Sequence, residues 1–211
     1  WVLETLVTQK MWYLLMKTTV DQLQLKSTFD QIYGKGDDFP IYYISWDEAK
    51  KFGIDLSLLL SKYGFVADHP TEAQWEYACR AGSYMPYSFG DKLNGDNANC
   101  DGRHPYGCNI KGVYLEQSCQ VKEYAPNAFG LYDMHGNVWE WCNDWYASDY
   151  YTKAPVDNPS GPDTGTRRVI RGGGWRSFAE CCRSAFRDSD PPSYRGRTLG
   201  FRIILMKRNE N

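Results

Sequence analysis

Nine arginines and no lysine fall between Arg167 and Arg202, with only Glu180, Asp188 and Asp190 as acids. The same stretch holds two adjacent thiols, Cys181 and Cys182, and the aromatics Trp175, Phe178, Phe186 and Tyr194. A guanidinium fork pairs two-handed with carboxylates and carbonyls, which a lysine ammonium does not. Aromatic side chains and arginine supply contact area and direction at binding surfaces. From Arg171 to Gly200 neither a helical nor a strand period persists. The reading is a loop surface with outward side chains, braced by arginines that point inward. Arg183, Arg187 and Arg202 are expected to be those braces.

A nucleic-acid patch is the competing reading of this arginine run. Phosphate tracking recruits lysine as well as arginine, and the chain carries a net charge of −2. No nucleic-acid partner is expected.

Seven cysteines are present: Cys79, Cys100, Cys108, Cys119, Cys142, Cys181 and Cys182. An odd number leaves at least one unpaired within the chain. Cys100 and Cys108 could close a short loop disulfide or remain buried free thiols, and spacing does not choose between them. No CxxC or Cys/His spacing suggests zinc. The three histidines, His69, His104 and His135, are far apart in sequence.

Several elements must position these groups. Residues 1–7 read as an edge strand. Thr8 precedes a short helix in which Met11, Leu14 and Leu15 share a face. Residues 41–44 form a β-like run. Ser45 with Glu48, and Thr71 with Gln74, are capping boxes that open helices. Gly53 is expected to end the first of these, with another turn or two from Leu56 to Lys62. The second is expected to run to about Arg80 and stop at Gly82. Residues 90–126 read as a long loop. Val138 to Trp145 alternates as a strand, with Trp139, Trp141 and Trp145 on one side. Short strands are expected at 168–171 and 200–205.

The 211 residues fit one domain covering 1–211, and aromatic content is high at 16%. No apolar stretch approaches the roughly 20 residues that a membrane helix needs. The sequence opens at Trp1 with no initiator Met, so any targeting segment or lipid tether would lie upstream of it.

Six motifs occur in order: Val7-Thr8-Gln9; Pro70-Thr71-Glu72-Ala73-Gln74-Trp75-Glu76-Tyr77-Ala78; Asn127-Ala128-Phe129-Gly130-Leu131-Tyr132-Asp133-Met134; Gly136-Asn137-Val138-Trp139-Glu140-Trp141; Arg171-Gly172-Gly173-Gly174-Trp175; and Gly200-Phe201-Arg202. Together they resemble the formylglycine-generating enzyme, or sulfatase-modifying factor, family across nearly the whole chain. The resemblance implies an α+β C-type lectin fold with two main helices, short strands and much irregular structure.

It also implies chemistry. The family's enzyme oxidises a substrate cysteine using copper, oxygen and two cysteines that follow the Arg-Gly-Gly turn. Soft thiolates suit Cu(I), but the first position here is Ser177. Cys182 falls at the second position in one register and is a structural residue in another. A copper-dependent cysteine oxidase with its site shifted to Cys181 or Cys182 is the alternative reading.

A non-catalytic branch fits the residues better. The chain resembles the variable proteins of diversity-generating retroelements, which display a variable patch near the C-terminus. There, scrambled AAY codons cannot encode Lys, Gln, Glu, Met or Trp. Between Arg176 and Thr198 only Glu180 violates that set. The expected function is ligand-binding display through residues 176–198, within a variable-type segment of about 171–202. The candidate contacts are Arg176, Ser177, Phe178, Cys181, Phe186, Asp188, Ser189, Asp190, Pro192, Ser193, Tyr194, Arg197 and Thr198. Arg176, Phe178, Phe186 and Tyr194 are expected to carry most affinity. The ligand is expected to be a protein or other surface ligand, and the chain to act outside the cell or on its surface. No cofactor is required. The resemblance allows a structural calcium at Asn137, the Val138 carbonyl and Glu140, oxygen ligands of the kind calcium prefers.

Overall fold

The computed structural model describes residues 1–29 and 31–208. Helix α1 (Gln9–Met16) starts where the Thr8 side chain accepts the Met11 amide. Helix α2 (Val20–Gln24) opens with a Thr19/Gln22 capping box that the sequence reading missed. Helix α3 (Trp46–Leu60) and helix α4 (Glu72–Arg80) begin at the Ser45/Glu48 and Thr71/Gln74 boxes, as expected. Each box satisfies amides that a helix start leaves without partners.

Gly53 does not end α3, which runs on through Leu60. Its missing side chain serves packing instead. A Cβ there would lie 3.2 Å from the Ala67 carbonyl of strand β1 (Phe65–Asp68). Ser57 ties the two elements, donating to the Gly53 carbonyl at 2.7 Å and accepting the Ala67 amide at 2.8 Å.

Strands β2 (Trp139–Trp145), β3 (Arg168–Arg171), β4 (Asp188–Asp190) and β5 (Leu199–Phe201) form one sheet in the order β4-β3-β2-β5. Only the β2–β5 pair is parallel. Strand β6 (Ile204–Lys207) pairs with β1 in a second, two-stranded sheet. The single strand expected at 200–205 is therefore two, in different sheets. Arg202 turns inward between them, which breaks the pairing.

Residues 1–7 form no strand. They are held by separate hydrogen bonds, Leu3 to the Ile203 carbonyl and Val7 to the Phe201 carbonyl. Residues 41–44 are fully buried but irregular, and Tyr43 has a left-handed φ of 62°.

The main core gathers Trp12, Phe52, Trp141 and Phe201 between α1, α3, β2 and β5. A second cluster joins α4 to β2 and β3 through Trp75, Cys79, Cys142 and Val169. A third lies under loops and holds Tyr87, Leu93, Cys100, Ala179 and Cys182. Among the described residues no helix is long and apolar enough to cross a membrane.

Candidate ligand-binding surface

The surface rests on a buried ionic frame. Strand β2 places Trp139, Trp141 and Trp145 on one side, yet its other side is buried too: Glu140 is 0% exposed and Asp144 is 2%. Arg202, also wholly buried, forks onto Glu140 with two bonds of 3.1 Å. It also donates to the Leu3, Glu4 and Tyr132 carbonyls. Helix α4 presents Glu72 and Glu76 one turn apart, hence on one face. Arg187 grips Glu72, and Arg171 bonds Glu76. Arg171 also donates to the carbonyls of Ser184 and Phe186. These bonds hold the backbone of 184–187 from below. Arg171 is 0% exposed, and the sequence reading did not count it among the braces.

Arg183 departs from expectation. It lies near the surface, over the rings of Tyr106 and Phe186, with its Nη2 3.6 Å from Glu180. Half-buried, it still braces its own turn, donating from Nε to the Glu180 carbonyl at 3.0 Å, and Cys182 and Ala179, both fully buried in the loop cluster, anchor the same turn.

Above this frame the candidate contacts divide. Arg176, Phe178, Asp188, Ser193 and Tyr194 are exposed, Phe178 at 52%. Ser177, Cys181, Phe186, Asp190, Pro192, Arg197 and Thr198 are half-buried. Ser189 is a correction. Strand alternation turns it inward, and its hydroxyl accepts from Arg167 Nε at 3.0 Å. Asp190 pairs with Arg167 at 3.2 Å, and burial pushes its carboxyl up to about 6.

The sheet separates Asp188, on edge strand β4, from Thr198, beside the opposite edge strand β5. Phe186 and Thr198 meet around Trp139 and Gly174. A Cβ on Gly174 would lie 2.9 Å from Thr198 Cβ and 3.2 Å from the Trp139 ring. Phe178 stacks on His104 with centroids 4.0 Å apart. Pro192 to Tyr194 form a turn at the start of α3, where the Trp46 amide donates to the Pro192 carbonyl.

The calcium expectation does not fit the residues. Both Glu140 oxygens are held by Arg202. Asn137 accepts the Cys119 amide at 3.1 Å and donates to the Cys119 carbonyl and Asp133. Their side-chain oxygens are committed to the protein, and a guanidinium stands where a cation would sit.

The seven thiols are placed as follows. All seven are free. Cys108 donates to the Ile110 carbonyl rather than meeting Cys100. Cys182 faces Cys100, and that hydrogen bond together with burial holds its thiol well above the usual range. Burial also raises Cys181. Ser177, in the first position of the expected pair, accepts the Gly174 amide at 3.0 Å and so shapes the turn.

A family model described as the sulfatase-modifying factor enzyme 1-like domain matches residues 2–207. The formylglycine-generating enzyme of Streptomyces coelicolor is 37% identical over 171 residues, which is 77% of this chain and 51% of that protein. The serine/threonine-protein kinase pkn1 of Chlamydia pneumoniae is 38% identical over 136 residues, 63% of this chain and 20% of that protein. The chain thus spans about half the length of the first of these curated relatives and a fifth of the second. Among solved structures, variable protein 1 of Treponema denticola superimposes with a TM-score of 0.73 at 25% identity. That match covers 98% of this chain and 84% of that one.

Proposed function

Because the chain belongs to the sulfatase-modifying factor enzyme 1-like family and shares its α+β fold of C-type lectin type, we propose that it is a non-catalytic display member. Its outer surface at 176–198 takes up a ligand, and its side chains there are diversified to suit different partners. One observation carries this reading. Arg176, Phe178, Asp188, Ser193 and Tyr194 are exposed on a segment whose 184–187 stretch is fixed from below by Arg171 and Arg187. Outward side chains can change without loss of the fold when the backbone beneath them is held separately. The likeness to a protein named as variable supports the same reading.

The proposed ligand is a protein on another surface, which places the site of action outside the cell or at its surface. Sequencing the DNA around the gene tests diversification. The reading expects a nearby reverse transcriptase and an adenine-biased near-repeat of the codons for 171–205. Absence of both overturns diversification.

A second reading is a copper-dependent cysteine oxidase with its site at Cys181 or Cys182, favoured by the 37% identity to a formylglycine-generating enzyme. Cu(I) titration and oxygen uptake with a cysteine-containing peptide separate the two. Tight stoichiometric copper binding with oxygen consumption establishes the oxidase.

A further inference from the structure

Outside the 176–198 segment, a second wall stands against it. The backbone of 101–104 is hydrogen-bonded to 177–179: the Asp101 amide donates to the Ser177 carbonyl at 2.9 Å, and the Ala179 amide to the His104 carbonyl at 3.2 Å. The loop keeps its shape without regular structure because its strands of chain touch through glycine. A Cβ on Gly102 would lie 2.2 Å from the Asn94 carbonyl and 2.3 Å from that of Val113. Its side chains continue the aromatic surface. Exposed His104 stacks on Phe178.

A ladder of planar groups then runs through the centre. Trp175 stacks between Tyr33, at 5.0 Å and 30°, and Tyr114, at 6.3 Å and 25°. Arg103 caps Tyr114 at 4.2 Å, and Arg197 caps Tyr33 at 5.1 Å while donating to its hydroxyl at 2.7 Å.

The charges on this face are unequal. Among the described residues Arg167, Arg171, Arg183, Arg187, Arg195 and Arg202 each have a carboxylate partner. Arg168 is enclosed between Trp46 and Trp145. Arg176 and Arg197 have no such partner. Arg176 follows Trp175 in the chain, and the Trp175 indole donates to the Arg197 carbonyl at 3.4 Å.

Building on the display reading, we propose that the binding face is composite. Residues Arg103, His104 and Tyr114 form a fixed second wall, and the ligand is a peptide segment that sets a carboxylate against Arg176 and Arg197 and an apolar or aromatic side chain against Phe178 and His104. A guanidinium with no internal acid favours an incoming carboxylate. A planar stack offers rigid contact area with little conformational entropy to lose.

The test selects a phage library of random 16-residue peptides on the immobilised full chain, then measures the selected peptides on variants. We expect enrichment in Asp or Glu beside aromatic residues. We also expect at least a tenfold loss of affinity in H104A, in R103A and in R176A; because Arg103 also forks onto buried Asp101, the R103A loss counts only where its urea midpoint is unchanged. Peptides that lose affinity in R176A or F178A but keep it in both R103A and H104A overturn the composite wall and leave the display reading standing. Peptides indifferent to all four changes, or no selectable peptide, overturn both. Selection of basic rather than acidic peptides overturns the ligand chemistry.

Discussion

Arg187 reaches across to helix α4 and holds Glu72 with two parallel bonds, Nε to Oε1 at 2.6 Å and Nη2 to Oε2 at 2.8 Å. Glu72 is 1% exposed, so this pair is a buried junction between the display segment and the helix beneath it. Removing one partner strands the other charge. E72Q is expected to cost about 3–5 kcal/mol. The cost is read as a shift of the urea midpoint at unchanged slope. R187K keeps the charge but loses the fork, and is expected to recover only part of that stability. A loss below about 1 kcal/mol in E72Q would contradict the bracing role.

The outer positions should behave oppositely. R176A and S193A remove side chains that stand in solvent. Each is expected to change stability by no more than about 0.5 kcal/mol, the usual range for surface replacements. The same urea titration reads them. A large loss at any of these positions would move it into the frame.

Acid should weaken the fold through histidine. His69 packs edge-on against Trp46 and Phe201, and burial lowers it to about 4. His135, also buried, is lowered to about 4. The unfolded chain binds these protons near pH 6.5, so between about 6.5 and 4 it holds more protons than the folded one. Stability from these groups is therefore present above about 6.5 and is lost as pH falls toward 4. Asp144, raised to about 6 by burial, acts in the opposite direction. H69F isolates one contribution. Relative to the unaltered chain, it should gain about 2 kcal/mol on going from pH 7 to pH 5. No relative gain would show that His69 is not held neutral.

Thiol reactivity should follow depth. Cys108 and Cys181 are half-buried, whereas Cys79, Cys100, Cys142 and Cys182 are almost fully enclosed. Burial pushes Cys79 up to about 12 and Cys142 well above the ordinary thiol range. Iodoacetamide on the native chain should label Cys108 first and Cys181 more slowly. The other five, buried Cys119 included, should wait for denaturant. Peptide mass mapping reads the order, and fast labelling of Cys182 would contradict its position beneath the display turn.

The helix starts were legible because a capping box is local: Ser45 and Glu48 satisfy each other's amides within one turn. Strands β1 and β4 were not. Each is only three or four residues long and exists because a partner strand lies beside it. Gly53 misled because glycine serves both as a helix stop and as room for a neighbouring backbone, and only the position of Ala67 decides. The inward Ser189 follows from β4 itself, which could not be foreseen. Composition suggested inward arginines but not which ones. Arg171 takes the buried role expected of Arg183 because α4 brings its glutamates to β3, while Cys182, two residues before Ser184, fixes the turn from the loop cluster.

The central claim is a division of labour between a fixed frame and a replaceable face. Two libraries of the full chain on a cell surface test it, scored by resistance to protease. One randomises Arg176, Phe178, Asp188, Ser193 and Tyr194. The other randomises Glu72, Glu140, Arg171, Arg187 and Arg202. The account predicts that most members of the first library resist cleavage and almost none of the second do. Equal loss of resistance in both would contradict it.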